Sequence, residues 1–237
     1  HCKGYLVRDD NMKPLYMIGC VNEIGKRQKA DNVSGLLGES GFREYMNQLD
    51  TPLETGYLLR IGIDHFKEIN DNFGQEYGDF VLKKTAECIS GCTSEGQKVY
   101  KLVADEFLIL DVASDEAKDA DKLYDKVREA IDRFIETNEF KVMYTVSGGI
   151  VPFAALKGNQ CSEALKLTDF SLNEAKKLGR NRCYIFNGET YRKFLRKREI
   201  TQELREAVIN GFQGFTAFYQ PVFAEDKKVP YGAEALM

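Results

Sequence analysis

Polar side chains concentrate in one short stretch, GIDHFKEINDNFGQEYGDF, which begins where an apolar run ends. Asp64, Lys67, Asn70 and Asp79 offer carboxylates, an amide and a cation there. Because ligands usually bind at the carboxyl ends of strands in α/β sheets, these groups could hold one. The same residue types also suit turns and caps, so Asp79 could instead cap the following helix and Asn70 could hold a loop.

Two further clusters are candidates for chemistry. Asp105 and Glu106 lie in LVADEF, in the tight connection between two apolar runs, where adjacent carboxylates are also compatible with an ordinary solvated turn. Lys176 and Arg180 are four residues apart in NEAKKLGRNR, so on a helix they share one face and could contact a phosphate together. A last cluster, YQPVFAEDKKVPYGAEALM, closes the chain.

The elements that must position these groups alternate between strand and helix from residue 31 to residue 187. Apolar residues recur at helical spacing in SGFREYMNQLD, DFVLKKTAECI, DEAKDADKLYDKVREAIDRFIET and CSEALKLTDFSLNEAKKL. Strands are predicted in GYLLRIGI, KVMYTVSGGIVPF and RCYIF, and two more in KVYKLVADEFLIL. This interleaving predicts an α/β or α+β fold, a sheet with helices packed on it.

Both ends of the chain have the pattern of pieces of neighbouring domains. Residues 1–30 predict two short strands, Tyr5–Val7 and Leu15–Val21, and then a charged helical stretch. A lone hairpin has little stability of its own. Residues 188–237 predict another helix, whose basic cluster is typical of a solvated face, and then a strand pattern. The sequence therefore predicts three segments: 1–30, 31–187 and 188–237.

Composition excludes several classes of protein. The 33 Lys+Arg residues against 37 Asp+Glu give a net charge of −4, whereas proteins that bind DNA or RNA usually carry a basic excess. Six cysteines without a C-x-x-C pair and only two histidines offer no zinc spacing, and indicate reduced thiols in the cytoplasm. No stretch approaches the roughly 18 apolar residues that a membrane span requires.

In chain order, these motifs resemble one family closely. The segments DNVSGLL, IDHFKEINDNFGQEYGD, VADEF and TDFSLNEAKKLGRNRCYIF are similar to the successive motifs of GGDEF domains, the diguanylate cyclase domains of cyclic di-GMP signalling. The likeness covers residues 31–187 and implies a mostly antiparallel central sheet flanked by helices. YQPV and the sequence Glu234-Ala235-Leu236 resemble the start of an EAL phosphodiesterase domain, and the opening strands resemble the end of a PAS-type sensor.

The resemblance implies a guanine-nucleotide site. In this family two domains face each other as a homodimer, each holding one GTP with Mg²⁺ or Mn²⁺ beside its phosphates. Asn70 and Asp79 match the positions that read guanine, which needs an acceptor for its N1 and N2 protons and a donor for O6. The positions that contact phosphate are matched by Lys67, Lys176 and Arg180.

The residues at the family's metal-binding and signature positions depart from its pattern. Gly62 stands where the family has its first metal carboxylate, and Asp64 lies too far along the strand to replace a ligand that must sit about 2.0 to 2.1 Å from magnesium. Val103 and Ala104 replace the signature glycines and are poor residues for a turn with positive φ. The remaining candidates are Asp105 and Glu106 for catalysis, Asp105 and the Ile63 carbonyl for the metal, and Glu234 as a metal ligand of the EAL part only.

Three hypotheses follow. The leading one is a degenerate GGDEF domain of a PAS–GGDEF–EAL type protein, which binds GTP or relays a signal to the EAL domain. The alternatives are a working diguanylate cyclase with an unusual site and a structural, dimerising module that binds no nucleotide. The family's product-inhibition motif, R-x-x-D, would fall at Ser94 and Gln97, so feedback by cyclic di-GMP at that place is not expected.

Overall fold

The computed structural model describes residues 2–9, 13–21, 30–49, 53–114, 117–137, 142–158, 160–224 and 228–236. The chain divides into two compact units, His1–Phe186 and Asn187–Met237. The first unit opens with an antiparallel hairpin of β1 (Cys2–Arg8) and β2 (Pro14–Val21), as predicted. The charged helical stretch expected after Val21 lies at residues 22–29, outside the described residues.

A six-stranded sheet forms the centre of the first unit. Its strands are β3 (Leu37–Gly38), β4 (Tyr57–Ile63), β5 (Gln97–Lys101), β6 (Glu106–Asp111), β7 (Val146–Pro152) and β8 (Cys183–Ile185), in the spatial order β3-β5-β6-β4-β7-β8. The central pairs β5–β6, β6–β4 and β4–β7 are antiparallel, and the outer pairs β3–β5 and β7–β8 are parallel. The expected mostly antiparallel sheet is therefore confirmed.

Helices cover both faces of this sheet. They are α1 (Glu39–Asn47), α2 (Phe66–Phe73), α3 (Gln75–Cys92), α4 (Ala117–Thr137) and α5 (Cys161–Lys177). Side chains alternate between the two faces along a strand. Leu59, Ile61 and Ile63 of β4 accordingly join the large buried core with α3 and α4, whereas Gly62 faces α5.

The segment between β4 and α3 differs from its prediction as a polar turn, because most of it is the helix α2. Phe66, Ile69 and Phe73 have helical spacing, and Ile69 is buried in the core. Asn70 therefore lies on a helix rather than in a loop. Asp79 lies inside α3, which begins at Gln75, so it is not the cap of that helix.

The second unit contains one long helix and one hairpin. α6 (Gly188–Ile209) begins after Asn187, whose side chain accepts hydrogen bonds from the backbone N–H groups of Glu189 and Thr190, both at 3.0 Å. β9 (Phe218–Phe223) pairs antiparallel with β10 (Pro230–Leu236). Across the part of the chain that the structure describes, no helix is long and apolar enough to span a membrane.

Candidate functional site

What we call the hairpin site consists of Gly62, the β5–β6 turn at residues 102–105, and the charged side chains around them. These side chains belong to Arg60, Lys101, Asp105, Glu106 and Lys176. Gly62 lies opposite Glu106 in the β4–β6 register. A Cβ atom at Gly62 would be 3.0 Å from Lys176 Nζ and 3.1 Å from Leu172 Cδ2, both on α5. The ammonium group of Lys176 thus lies directly over the position where the resemblance implies a metal carboxylate.

The turn between β5 and β6 carries the signature. Ala104 has a φ of 55°, in the left-handed region, whereas Val103 does not adopt positive φ and is 71% exposed. The expectation that Val103 occupies a strained position is therefore wrong, because the turn places the left-handed residue one position later. Backbone strain in this turn falls on Ala104 alone.

Lys101 is buried beneath this turn, although its residue type would usually lie in solvent. Its ammonium donates to the carbonyl oxygens of Leu102 at 3.1 Å, Glu106 at 3.4 Å and Ala104. Burial lowers the pKa of Lys101, and the negative charges of Asp31, Asp105 and Glu106 oppose that shift. The lysine thus fixes the shape of the signature turn from below.

Glu106, predicted as catalytic, is held in an ion pair with Arg60. Arg60 Nε lies 2.7 Å from Glu106 Oε2, and its Nη2 group contacts the same oxygen. The guanidinium also donates to the Leu165 carbonyl at 3.2 Å and lies 3.3 Å from Asp169. Because the Arg60 and Glu106 side chains are only 12% and 19% exposed, the pair is mostly withdrawn from water.

Asp105, the candidate for both catalysis and metal binding, has a cationic neighbour as well. Its Oδ2 atom lies 3.9 Å from Lys176 Nζ, and the two side chains are 18% and 24% exposed. The backbone of Ile63, the other metal candidate, is adjacent because its N–H donates to the Asp105 carbonyl at 3.4 Å. Among the described residues, no group of three or more His, Cys, Asp and Glu side chains could hold a metal ion.

Asp64 has a structural role at the end of β4. It is 2% exposed and accepts hydrogen bonds from the hydroxyls of Thr145 and Ser147, both at 2.7 Å, and from the Asn181 N–H at 3.1 Å. Arg180 and Asn181 both have positive φ, at 61° and 46°. Asp64 therefore fixes the strained loop that carries Arg180, instead of serving as a metal ligand.

The guanine-reading candidates lie in a second place, the α2–α3 site, which consists of Asn70, Gly78 and Asp79. Asn70 Oδ1 is buried without a hydrogen-bond partner among the described residues. It lies 1.8 Å from where a Cβ atom of Gly78 would be, so a larger residue there would displace the Asn70 amide. Asp79 follows Gly78 and is half-buried, and Lys67 lies one helical turn before Asn70 with its side chain exposed.

Sequence reasoning missed Arg60 and Lys101, which together with Lys176 provide the cations of the hairpin site. Each is a charged residue inside a strand that otherwise reads as apolar, in GYLLRIGI and KVYKLV. A long charged side chain in such a strand is rarely buried without a partner, and that signal could have marked both residues. Glu234, the remaining metal candidate, is on β10 of the second unit and is exposed.

Comparison with known proteins identifies relatives. The family model "Diguanylate cyclase, GGDEF domain" matches residues 29–182. Over 212 residues the chain is 27% identical to the cyclic di-GMP phosphodiesterase NbdA of Pseudomonas aeruginosa, covering 87% of this chain and 26% of NbdA. Over 189 residues it is 26% identical to the diguanylate cyclase VdcA of Vibrio cholerae, covering 77% of this chain and 55% of VdcA. The chain thus spans between a quarter and somewhat more than half of these relatives.

A solved structure shares the fold. The GGDEF domain of TpbB, also called YfiN, from Pseudomonas aeruginosa superposes with a TM-score of 0.62 at 24% sequence identity. The match covers 70% of this chain and 99% of that domain. The fold expected from the sequence, a central sheet flanked by helices in the GGDEF arrangement, is therefore confirmed.

Proposed function

Because the chain belongs to the GGDEF family of cyclic di-GMP signalling, we propose that its domain binds a guanine nucleotide, foremost GTP, without converting it to cyclic di-GMP. GGDEF domains use divalent metal ions with GTP and act as dimers. In this chain the nucleotide serves as a signal whose presence is passed on, and the same pairing of two copies is the expected assembly.

The position of Lys176 over Gly62 carries the proposal that catalysis is lost. Joining two nucleotides needs metal ions, held by carboxylates, that neutralise charge on the reacting phosphates in the transition state. Gly62 has no side chain to offer, and the ammonium beside it already pairs with Asp105 at 3.9 Å. Glu106 is engaged by Arg60. The residues that remain do not fit a catalytic metal.

The α2–α3 site supports retained nucleotide binding. The amide of Asn70 packs its oxygen against Gly78, which leaves the Nδ2 group as a donor for guanine O6. The carboxylate of Asp79 suits the N1 and N2 protons of the base. Lys67, Lys176 and Arg180 supply positive charge for the phosphates.

The flanking segments suggest where the signal goes. We propose that residues 1–30 end a PAS-like sensor and that residues 188–237 begin an EAL phosphodiesterase domain, in which Glu234 would be a metal ligand. NbdA, which matches over 87% of this chain, is named a cyclic di-GMP phosphodiesterase. A cytoplasmic location agrees with the free thiols of Cys88, Cys92, Cys161 and Cys183.

Calorimetric titration of the chain with GTP and magnesium tests binding. We expect a binding signal that Asp79→Ala weakens by about tenfold or more, since an unpaired guanine donor costs about 1–3 kcal/mol. Asp71→Ala, an exposed carboxylate on α2, is the matched control and should leave the affinity unchanged. A chain that gives no binding signal, before or after the substitution, would instead be a structural module.

Incubation of concentrated protein with GTP, followed by chromatography, tests catalysis. We expect no cyclic di-GMP, and its formation would identify a working diguanylate cyclase instead. A triple variant, Gly62→Asp with Val103→Gly and Ala104→Gly, restores the family's residues at the three altered positions. Activity in this variant alone would show that these positions account for the loss.

A further inference from the structure

The hairpin site holds cations where its family holds a divalent metal. Glu106 is paired with Arg60, and Asp105 has the ammonium of Lys176 at 3.9 Å. Lys101 is buried below the same turn. Both signature carboxylates thus have cationic partners from the protein itself, Arg60 of β4 and Lys176 of α5, while Lys101 of β5 binds the carbonyl oxygens of the turn.

The position of Lys176 matters most. Its Nζ atom lies 3.0 Å from where the first atom of a side chain at residue 62 would be. Magnesium requires near-octahedral oxygen ligands at about 2.0 to 2.1 Å. A divalent ion in this place would contact a positive charge and would have at most Asp105 and the Ile63 carbonyl as protein ligands. The structure therefore does not fit the metal that the family uses.

We infer that the ammonium of Lys176 takes the place of the metal, so that this domain binds the phosphates of a guanine nucleotide without a divalent cation. The inference rests on the proposed nucleotide binding and specifies which form of the nucleotide is bound. Magnesium on free GTP covers phosphate oxygens and cancels part of their charge. Mg²⁺ should therefore compete with Lys176 for the phosphates rather than assist binding.

Titration of the full chain with GTP, in EDTA and then in excess Mg²⁺, tests this inference. We expect an affinity in EDTA at least equal to that in Mg²⁺. Gly62→Asp should reverse the order and make binding about tenfold or more dependent on Mg²⁺. The variant should fold, because the atom that meets the new Cβ most closely is the flexible end of Lys176. Wild-type protein that binds GTP only with Mg²⁺ would overturn the inference and leave the proposed function intact.

Substitutions of two adjacent lysines separate a specific effect from a loss of charge. Lys176→Met should weaken binding in EDTA by about tenfold or more. Lys177→Met is the matched control, because Lys177 is 61% exposed and pairs with Glu174 at 2.6 Å. It should leave the affinity unchanged, and equal losses in the two variants would contradict the role of Lys176.

Binding of Mn²⁺ to the protein alone, followed by electron paramagnetic resonance, is a readout that does not depend on nucleotide. We expect no bound Mn²⁺ in the wild type and a bound fraction in Gly62→Asp. Mn²⁺ that binds the wild type and is lost in Asp105→Asn would overturn the inference. Absence of GTP binding in both EDTA and Mg²⁺ would overturn the proposed function and this inference together.

Discussion

The α2–α3 site and the hairpin site differ in whether their polar groups have partners within the protein. In the first, Asn70 Oδ1 stays buried without a partner among the described residues, against a glycine that no other residue could replace without a shift. In the second, Asp105 and Glu106 are both matched by protein cations. A buried polar atom without a partner costs free energy of folding and therefore marks a candidate functional place. Charges that already have partners in the protein do not need an ion to neutralise them. The difference supports the proposal of a domain that keeps base recognition without the family's metal centre.

Breaking the ion pair of the hairpin site should have the largest effect. Arg60→Met leaves Glu106 mostly buried without its partner, which should lower the free energy of unfolding by about 3 kcal/mol. Denaturation in urea measures this change. The double variant with Glu106→Gln should recover most of the loss, because the unpaired charge is then removed. Arg43→Met, which breaks an exposed pair with Glu39, should cost less than about 1 kcal/mol. Equal losses at Arg43 and Arg60 would show that the buried pair has no special role.

Disturbing the α2–α3 site should affect binding more than stability. Gly78→Ala places a Cβ 1.8 Å from Asn70 Oδ1, so the amide must move away from its position for guanine. We expect GTP affinity to fall by about 2 kcal/mol, roughly 30-fold, in a calorimetric titration. Gly91→Ala on the same helix meets nothing within 4 Å and is the control for helix propensity. If both variants bind GTP like the wild type, the α2–α3 site does not read the base.

The signature turn allows a finer test within the hairpin site. Ala104→Gly should raise the free energy of unfolding by about 1 kcal/mol, because an L-residue with positive φ is strained and glycine is not. Val103→Gly, one residue earlier, should instead lower it by about 0.5–1 kcal/mol, because it adds chain entropy without relieving strain. Thermal or urea denaturation measures both changes. A free energy of unfolding that falls in Ala104→Gly and rises in Val103→Gly would contradict the assignment of the left-handed residue to Ala104.

The far end of β6 should give the smallest effect, which appears in how stability depends on pH. Burial raises the pKa of Asp111, but hydrogen bonds from Gln97, Ser114 and the Ala113 N–H outweigh it and hold that pKa below its ordinary value. A carboxyl group whose pKa is lowered by folding stabilises the folded state at pH values above its ordinary pKa. That stabilisation is lost as the pH falls through the pKa of the folded state. Asp111→Asn should therefore flatten the acid limb of a stability profile measured by denaturation. A profile that is unchanged in shape would rule out this contribution.

Most of the fold was predictable from periodicity, because the buried strands and amphipathic helices have long, clear patterns. The strand GYLLRIGI follows from its short apolar run between turn signals, and the helix of residues 117–137 follows from its amphipathic spacing. The helix α2 was not, because Asn70, Asp71 and Asn72 gave its segment the composition of a turn. Packing of Ile69 into the core outweighs that local preference.

The site was predictable in its residue types and not in its partners. The absence of a side chain at Gly62 and the retention of Asn70, Asp79, Lys176 and Arg180 are properties of the sequence itself. Hydrogen bonds to Asp64 from Thr145, Ser147 and Asn181 connect segments far apart in the chain, and no local pattern encodes them. The role of Asp64 as an anchor therefore became apparent only in the folded chain.

The sequence by itself determined the family, most of the strands and helices except α2, and the absence of a side chain at residue 62. Only the tertiary structure decided which side chain lies beside Gly62. Strand pairing places Gly62 opposite Glu106, and α5 packs across β4 so that Lys176 reaches the same point. Contacts between distant segments depend on how the sheet and helices pack, and that packing places the ammonium of Lys176 beside Gly62.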